Sequence, residues 1–158
     1  MILFGVIGDG QCGPETYRIA EEVGEEIARR GIGLVCGSLT GVMEAACRGA
    51  KAAGGLTVGI VPGDDPASAN RFVEIPIATG MGEARNIIVI KSSRAVIAVE
   101  GRYGTLSEIA FALKLERPLV GIRTWELSRR GQRDNGIVYV DTAREAVEKA
   151  VVLAGLKQ

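Results

Sequence analysis

Along this chain, short runs of consecutive apolar residues alternate with longer segments whose apolar positions recur every three or four residues. The short runs, rich in Val and Ile, predict strands at Ile2–Ile7, Gly33–Cys36, Thr57–Val61, Phe72–Ile77, Ala95–Val99, Leu119–Ile122 and Ile137–Val140. The periodic segments predict helices at Pro14–Arg30, Gly41–Ala53, Gly82–Ser92, Thr105–Leu115 and Thr142–Leu153. In the first of these, Ile19, Ala20, Val23, Ile27 and Ala28 share one face. Pro14 suits the first helical position and Gly31 stops the helix. Strands that are apolar throughout and separated by helices imply a parallel sheet covered on both faces. The expected fold is α/β, a single doubly wound, Rossmann-like domain over residues 1–158 with a mostly parallel sheet. The polar stretch Trp125–Gly136 reads as a solvated loop.

Composition narrows the function. The chain has 158 residues, enough for one core, and 22 of them are glycine. It contains no histidine, which excludes serine–histidine triads, imidazole zinc sites and histidine pH switches. The 19 basic and 19 acidic side chains cancel, which argues against nucleic acid as a partner. One Trp, three Tyr and three Phe are too few for an obvious base-stacking surface. Cys12, Cys36 and Cys47 are odd in number and lack C-x-x-C spacing, so they read as reduced, part-buried thiols of a cytoplasmic protein, with no metal site. The apolar start at Met1–Ile7 is too short for a membrane span or signal peptide.

Ligands of open parallel sheets bind at the carboxyl ends of the strands. Four glycine-bearing loops fall there: Gly8–Gly13, Gly37–Gly41, Pro62-Gly63-Asp64 and Gly101–Thr105. Glycine lets backbone approach a ligand, and helix N-terminal amides favour anions, so these loops suit a phosphate. The first loop lacks the full G-x-G-x-x-G spacing and no acidic ribose ligand follows the second strand, which disfavours an NAD-type site. Thr105-x-x-Glu108 admits two readings, a capping box for its own helix or side chains facing a ligand. Glu44, four residues before Arg48, has a plain reading as half of a surface ion pair.

The run Gly80-Met81-Gly82-Glu83-Ala84-Arg85-Asn86, followed by Gly101-x-x-Gly104-Thr105-x-x-Glu108, resembles the Lonely Guy family, many of whose members were once labelled lysine decarboxylases. The resemblance extends through Gly37–Gly41, Val42-Met43-Glu44-Ala45-Ala46 and Gly59-Ile60-x-Pro62-Gly63. It implies cleavage of the N-glycosidic bond of a nucleoside 5′-monophosphate to free base and ribose 5-phosphate, without a cofactor. Arg85 and Glu108 would then be the catalytic pair. The implied ligand-binding set is Gly8, Gly10, Gly37, Ser38, Thr40, Gly41, Glu44, Met81, Asn86, Gly101, Arg102, Tyr103, Gly104 and Thr105. Three positions depart from the family signatures: Glu100 stands for a proline, Arg102 for a glycine and Asn86 for a lysine. Arg102 either adds a phosphate contact or blocks the approach that glycine permits. The branch also resembles the molybdenum cofactor carrier proteins, which implies a non-catalytic carrier of a phosphorylated ligand as the alternative, and the DNA-processing protein A family. By the same resemblance, the apolar run Ile87-Ile88-Val89-Ile90 points to a homodimer or larger homo-oligomer.

Overall fold

The computed structural model describes residues 1–156 of the chain. The strands are β1 (Leu3–Gly8), β2 (Gly33–Cys36), β3 (Thr57–Val61), β4 (Ile75–Ala78), β5 (Ala95–Val99), β6 (Leu119–Ile122), β7 (Ser128–Arg129), β8 (Gln132–Arg133) and β9 (Ile137–Tyr139). The helices are α1 (Pro14–Arg29), α2 (Val42–Ala52), α3 (Asn86–Ser92), α4 (Tyr103–Lys114) and α5 (Ala143–Leu153). Seven strands form one sheet in the order β4-β3-β2-β1-β5-β6-β9, and every pairing in it is parallel. This is the doubly wound α/β architecture that the alternating pattern predicts.

The strands β2, β3, β5 and β6 are buried at every position, because helices cover both faces. Helices α1, α2 and α5 enclose one core, containing Phe4, Val23, Ile27, Leu34 and Ile97. Helices α3 and α4 enclose the other, containing Ile7, Ile60, Ile90 and Ile109. The edge strand β4 is different: Ile75 and Ile77 remain exposed. Within the run Ile87–Ile90, Val89 and Ile90 are buried whereas Ile87 and Ile88 are half-buried. No helix among the described residues is long and apolar enough to cross a membrane.

Beyond shifts of a residue at element ends, four features differ from the sequence expectation. The strand expected from Phe72 begins at Ile75, because the Thr57 hydroxyl donates to the Phe72 carbonyl at 2.7 Å and accepts from the Glu74 amide at 2.9 Å, holding that segment in a bend. The helix expected from Gly82 opens as a 3-10 turn over Gly82–Arg85, and regular α3 starts only at Asn86. The loop Trp125–Gly136 contains the small antiparallel hairpin β7–β8. Most consequentially, α4 starts at Tyr103, two residues before Thr105.

The chain leaves β1 toward β2 on one side and returns to place β5 on the other. Loops after β1 and β5 therefore diverge and open a crevice at their carboxyl ends, where such sheets hold ligands.

Candidate functional site

The α4 N-terminus lies at the wall of that crevice. Its N-cap residue, Arg102, makes no side-chain cap, and the first intrahelical bond runs from the Leu106 amide to the Arg102 carbonyl at 2.9 Å. The amides of Tyr103, Gly104 and Thr105 therefore have no acceptor among the described residues. Because the helix begins at Tyr103, Thr105 and Glu108 fall inside it. The capping box that their spacing allows does not form. They stand three residues apart, so they share one helix face, and that face is turned inward: Thr105 is 2 % and Glu108 8 % exposed. Gly101, at φ +101°, brings its backbone so close to the Thr105 side chain that a β-carbon there would collide with it.

These groups border an inner cavity of about 700 Å³. Of the sequence-predicted residues, Gly8, Gly10, Gly37, Arg85, Asn86, Arg102, Tyr103, Gly104, Thr105 and Glu108 line it. Asp9, Leu39, Met43, Pro62, Gly82, Glu83, Ser107 and Phe111 complete the wall and were not in the expected ligand-binding set. Phe111 and Ser107 had a legible signal, being one turn from Glu108 and Gly104 on the same helix.

The remaining expected ligand residues stand outside this wall. Ser38 is fully buried at φ +70°, beneath the loop. Thr40 ties two loops together, donating to the Gly10 carbonyl at 2.7 Å. Gly41, at φ +64°, starts α2 and presses so closely on the Asp9 carbonyl that only glycine fits. Glu44 faces α1, where it accepts from the Tyr17 hydroxyl at 3.3 Å. It does not pair with Arg48, which instead bridges to Glu21 at 3.3 Å. Met81 is exposed on the approach to the 3-10 turn, and Gly101 borders a neighbouring outer cavity.

Arg85 and Glu108 both reach the inner cavity, but in different states. Arg85 is 7 % exposed and its guanidinium is occupied. It donates to the Ile60 carbonyl at 3.0 Å, to the Gly37 carbonyl at 3.2 Å and to Asn86 Oδ1. Arginine's rigid fork is thus used to tie β3 and the loop after β2 to the start of α3. Glu108 has no hydrogen-bond partner and no ion pair among the described residues. Burial pushes its carboxyl up to about 8, only partly opposed by the charge of Arg85. Glu108 is therefore mostly protonated at neutral pH. Arg85 responds to the same burial in the opposite sense, its pKa being lowered by desolvation while Glu108 opposes the shift.

Across the crevice mouth, the Arg102 side chain pairs with Asp9, donating from its terminal nitrogen to Oδ1 at 3.2 Å and from Nε to Oδ2. That guanidinium holds the Asp9 carboxyl below its ordinary range. The two residues belong to the walls of both the inner cavity and an outer one of about 600 Å³. The only tryptophan in the chain, Trp125, donates its indole N–H to the Arg102 carbonyl at 3.1 Å and packs against Tyr103, with ring centroids 5.7 Å apart. Glu100, at φ +48°, accepts from the Thr16 hydroxyl at 2.6 Å, which anchors the loop from the other side. Among the described residues, no cluster of His, Cys, Asp or Glu has the arrangement to hold a metal.

Residues 1–147 match the SLOG cluster4 family. The chain belongs to that family. A SLOG cluster4 assignment agrees with the Lonely Guy-like signatures at Arg85 and Gly104–Glu108. An uncharacterised protein of Archaeoglobus fulgidus is 51% identical over 135 residues, covering 80% of this chain and 89% of the relative. A probable cytokinin riboside 5′-monophosphate phosphoribohydrolase of Oryza sativa subsp. japonica is 30% identical over 145 residues, 86% of this chain but only 54% of that protein. Among solved structures, the molybdenum cofactor binding protein of Rippkaea orientalis superposes with a TM-score of 0.85 at 34% identity, covering 96% of this chain and 97% of the other. The molybdenum cofactor carrier protein of Chlamydomonas reinhardtii gives 0.85 at 30% identity, covering 98% and 99%. DNA processing protein A of Streptococcus pneumoniae, at 18% identity, 93% and 61% coverage and a TM-score of 0.71, shares the fold alone.

Proposed function

We propose that this SLOG cluster4 protein binds a small phosphorylated ligand in the inner cavity, with the phosphate on the N-terminus of α4, and carries it without turnover. The observation that carries this reading is the open amide row of Tyr103, Gly104 and Thr105, joined to a nearly buried Thr105 side chain at the cavity wall. Aligned peptide dipoles and unpaired N–H groups favour an anion there. A protonated Glu108 adds no negative charge against it, and its hydroxyl is free to donate to the ligand. Full-length similarity to two molybdenum cofactor-binding proteins supports a carrier role. The engagement of Arg85 by backbone carbonyls supports it too, since that guanidinium is taken up in holding the wall.

One observation favours a second reading, hydrolysis of a nucleoside 5′-monophosphate. A buried carboxyl with a pKa near 8, beside a cavity, is suited to protonate a departing base as the glycosidic bond breaks. Similarity to the rice phosphoribohydrolase supports that alternative.

Incubation with a panel of nucleoside 5′-monophosphates separates the two. The carrier reading expects phosphate-dependent binding by calorimetry with no free base or ribose 5-phosphate released. Release of base, abolished in Glu108→Gln while binding persists, establishes the hydrolase instead. Failure of every phosphorylated compound to bind defeats both.

A further inference from the structure

Arg102 and Asp9 line both cavities, and the Arg102 side chain is 69% exposed while that of Asp9 is 20% exposed. The pair joins the loop after β1 to the loop after β5, so it spans the switch crevice like a bar. Its carboxylate end is fixed: Asp9 Oδ1 also accepts from the Gln11 amide at 3.1 Å, and the Asp9 carbonyl accepts from the Val42 amide at 3.0 Å. The guanidinium end hangs on a long, solvated side chain. Arg102 immediately precedes the open amides of Tyr103, Gly104 and Thr105. Rotation about its own side-chain bonds is therefore enough to carry its charge from Asp9 to an anion seated on those amides, with the backbone unmoved.

We propose that Arg102 is a phosphate clamp recruited by the ligand, and that Asp9 holds it in reserve in the free protein. The inference rests on the phosphate-binding reading above and adds the specificity of that site. A phosphate monoester, carrying up to two negative charges and three acceptor oxygens, competes with a single carboxylate for the guanidinium fork. An uncharged ligand of the same shape does not. Asp9 and Arg102 together make the crevice selective for a phosphorylated compound over its dephosphorylated counterpart, and transfer of the arginine joins the outer cavity to the inner one. The position is the one where the signature glycine is replaced, so the clamp is a property of this chain's own residues.

Trp125 serves as a built-in reporter, because its indole is bonded to the Arg102 carbonyl and its ring packs on Tyr103, next to the charge that moves. The test is titration of the full chain with adenosine 5′-monophosphate, adenosine and inorganic phosphate, followed by tryptophan fluorescence and calorimetry. Arg102→Ala is expected to weaken adenosine 5′-monophosphate binding by about tenfold or more and to leave adenosine binding unchanged. Asp9→Asn keeps the loop contacts but weakens the bar, and is expected to tighten adenosine 5′-monophosphate binding by about threefold to tenfold. In the Arg102→Ala background the Asp9→Asn gain should vanish, since no arginine remains to release. A gain that persists there means Asp9 acts on the anion by direct repulsion and overturns the clamp. So does an Asp9→Asn variant that binds no better than the wild type. Wild-type protein that binds neither these nor any other phosphorylated compound of the panel overturns the parent reading and the clamp together, whereas binding with flat Arg102→Ala and Asp9→Asn responses overturns the clamp alone.

Discussion

The pattern Thr-x-x-Glu occurs at the start of two helices in this protein, and the two copies do opposite things. At α5, Thr142 is the N-cap: its hydroxyl accepts from the Glu145 amide at 3.2 Å, and the Glu145 carboxylate accepts from the Thr142 amide at 3.1 Å. The box closes the helix end, and the hydrogen bond from Thr142 leads the contacts that hold the Glu145 carboxyl below its ordinary range. At α4 the N-cap is Arg102, three residues before Thr105, and Thr105 and Glu108 ride inside the helix. The amides are left open, and burial pushes Glu108 up to about 8. A shift of three residues in the start of a helix turns a stabilising cap into a cavity wall with an unsatisfied acid. One helix end is closed by its own side chains, and the other leaves open amides beside a cavity.

The sharpest test of this contrast is the pH dependence of stability. Because the Glu108 pKa is raised on folding, the native state keeps a proton that the unfolded state loses from about pH 4.5 upward. Its stabilising contribution is complete below pH 4.5 and is lost as pH rises to about 8. Glu108→Gln, which cannot ionise, should lose no stability over that window. The wild type should fall behind it by at most about 5 kcal/mol between the two ends. Urea midpoints at pH 5 and pH 8.5 read the difference, and parallel curves for wild type and variant would show that Glu108 is ionised in the folded protein.

A smaller effect belongs to Thr105. Replacing its hydroxyl with a methyl in Thr105→Val should weaken binding of a phosphate monoester by about tenfold, the cost of one hydrogen bond to a charged group. Thermal stability should hold, since the hydroxyl has no protein partner among the described residues. A loss of stability with affinity intact would return Thr105 to the role that Thr142 plays. Thr142→Ala supplies the reverse case: about 1 kcal/mol of stability lost by urea unfolding, with ligand affinity unchanged.

Much of the architecture was legible in residue order. The all-apolar strands, the helix periodicity, and Pro14 and Gly31 at the ends of α1 follow from local rules, and these segments have the predicted type because nothing in the tertiary structure opposes them. The errors fall where a distant group intervenes. Thr57 captures the Phe72–Glu74 segment from across the sheet edge, a contact 15 to 17 residues away in sequence. Cys36 and Cys47 are free thiols as their spacing suggests, but the packing of α2 on the sheet buries them fully rather than partly and brings their sulfurs to 3.4 Å. Glu44 sits one turn from a suitable arginine and turns instead to Tyr17 on α1.

The candidate site divides along the same line. The glycine-bearing loops, the Arg85 signature and the Gly104–Glu108 segment could be located from sequence because a doubly wound sheet delivers strand ends to one edge whatever their chemistry. Residue identity alone did not say which of those side chains face the cavity, whether the Thr105 pair caps its helix, or what Arg102 does in the place of a glycine. Those outcomes depend on where α4 begins and on how closely the loops after β1 and β5 approach, which are non-local packing results. Sequence placed the ingredients at one end of the sheet. Tertiary structure decided that Arg85 is spent on backbone carbonyls, that Glu108 is buried without a partner, and that Arg102 reaches across to Asp9, because burial and partner choice are set by neighbours distant in the chain.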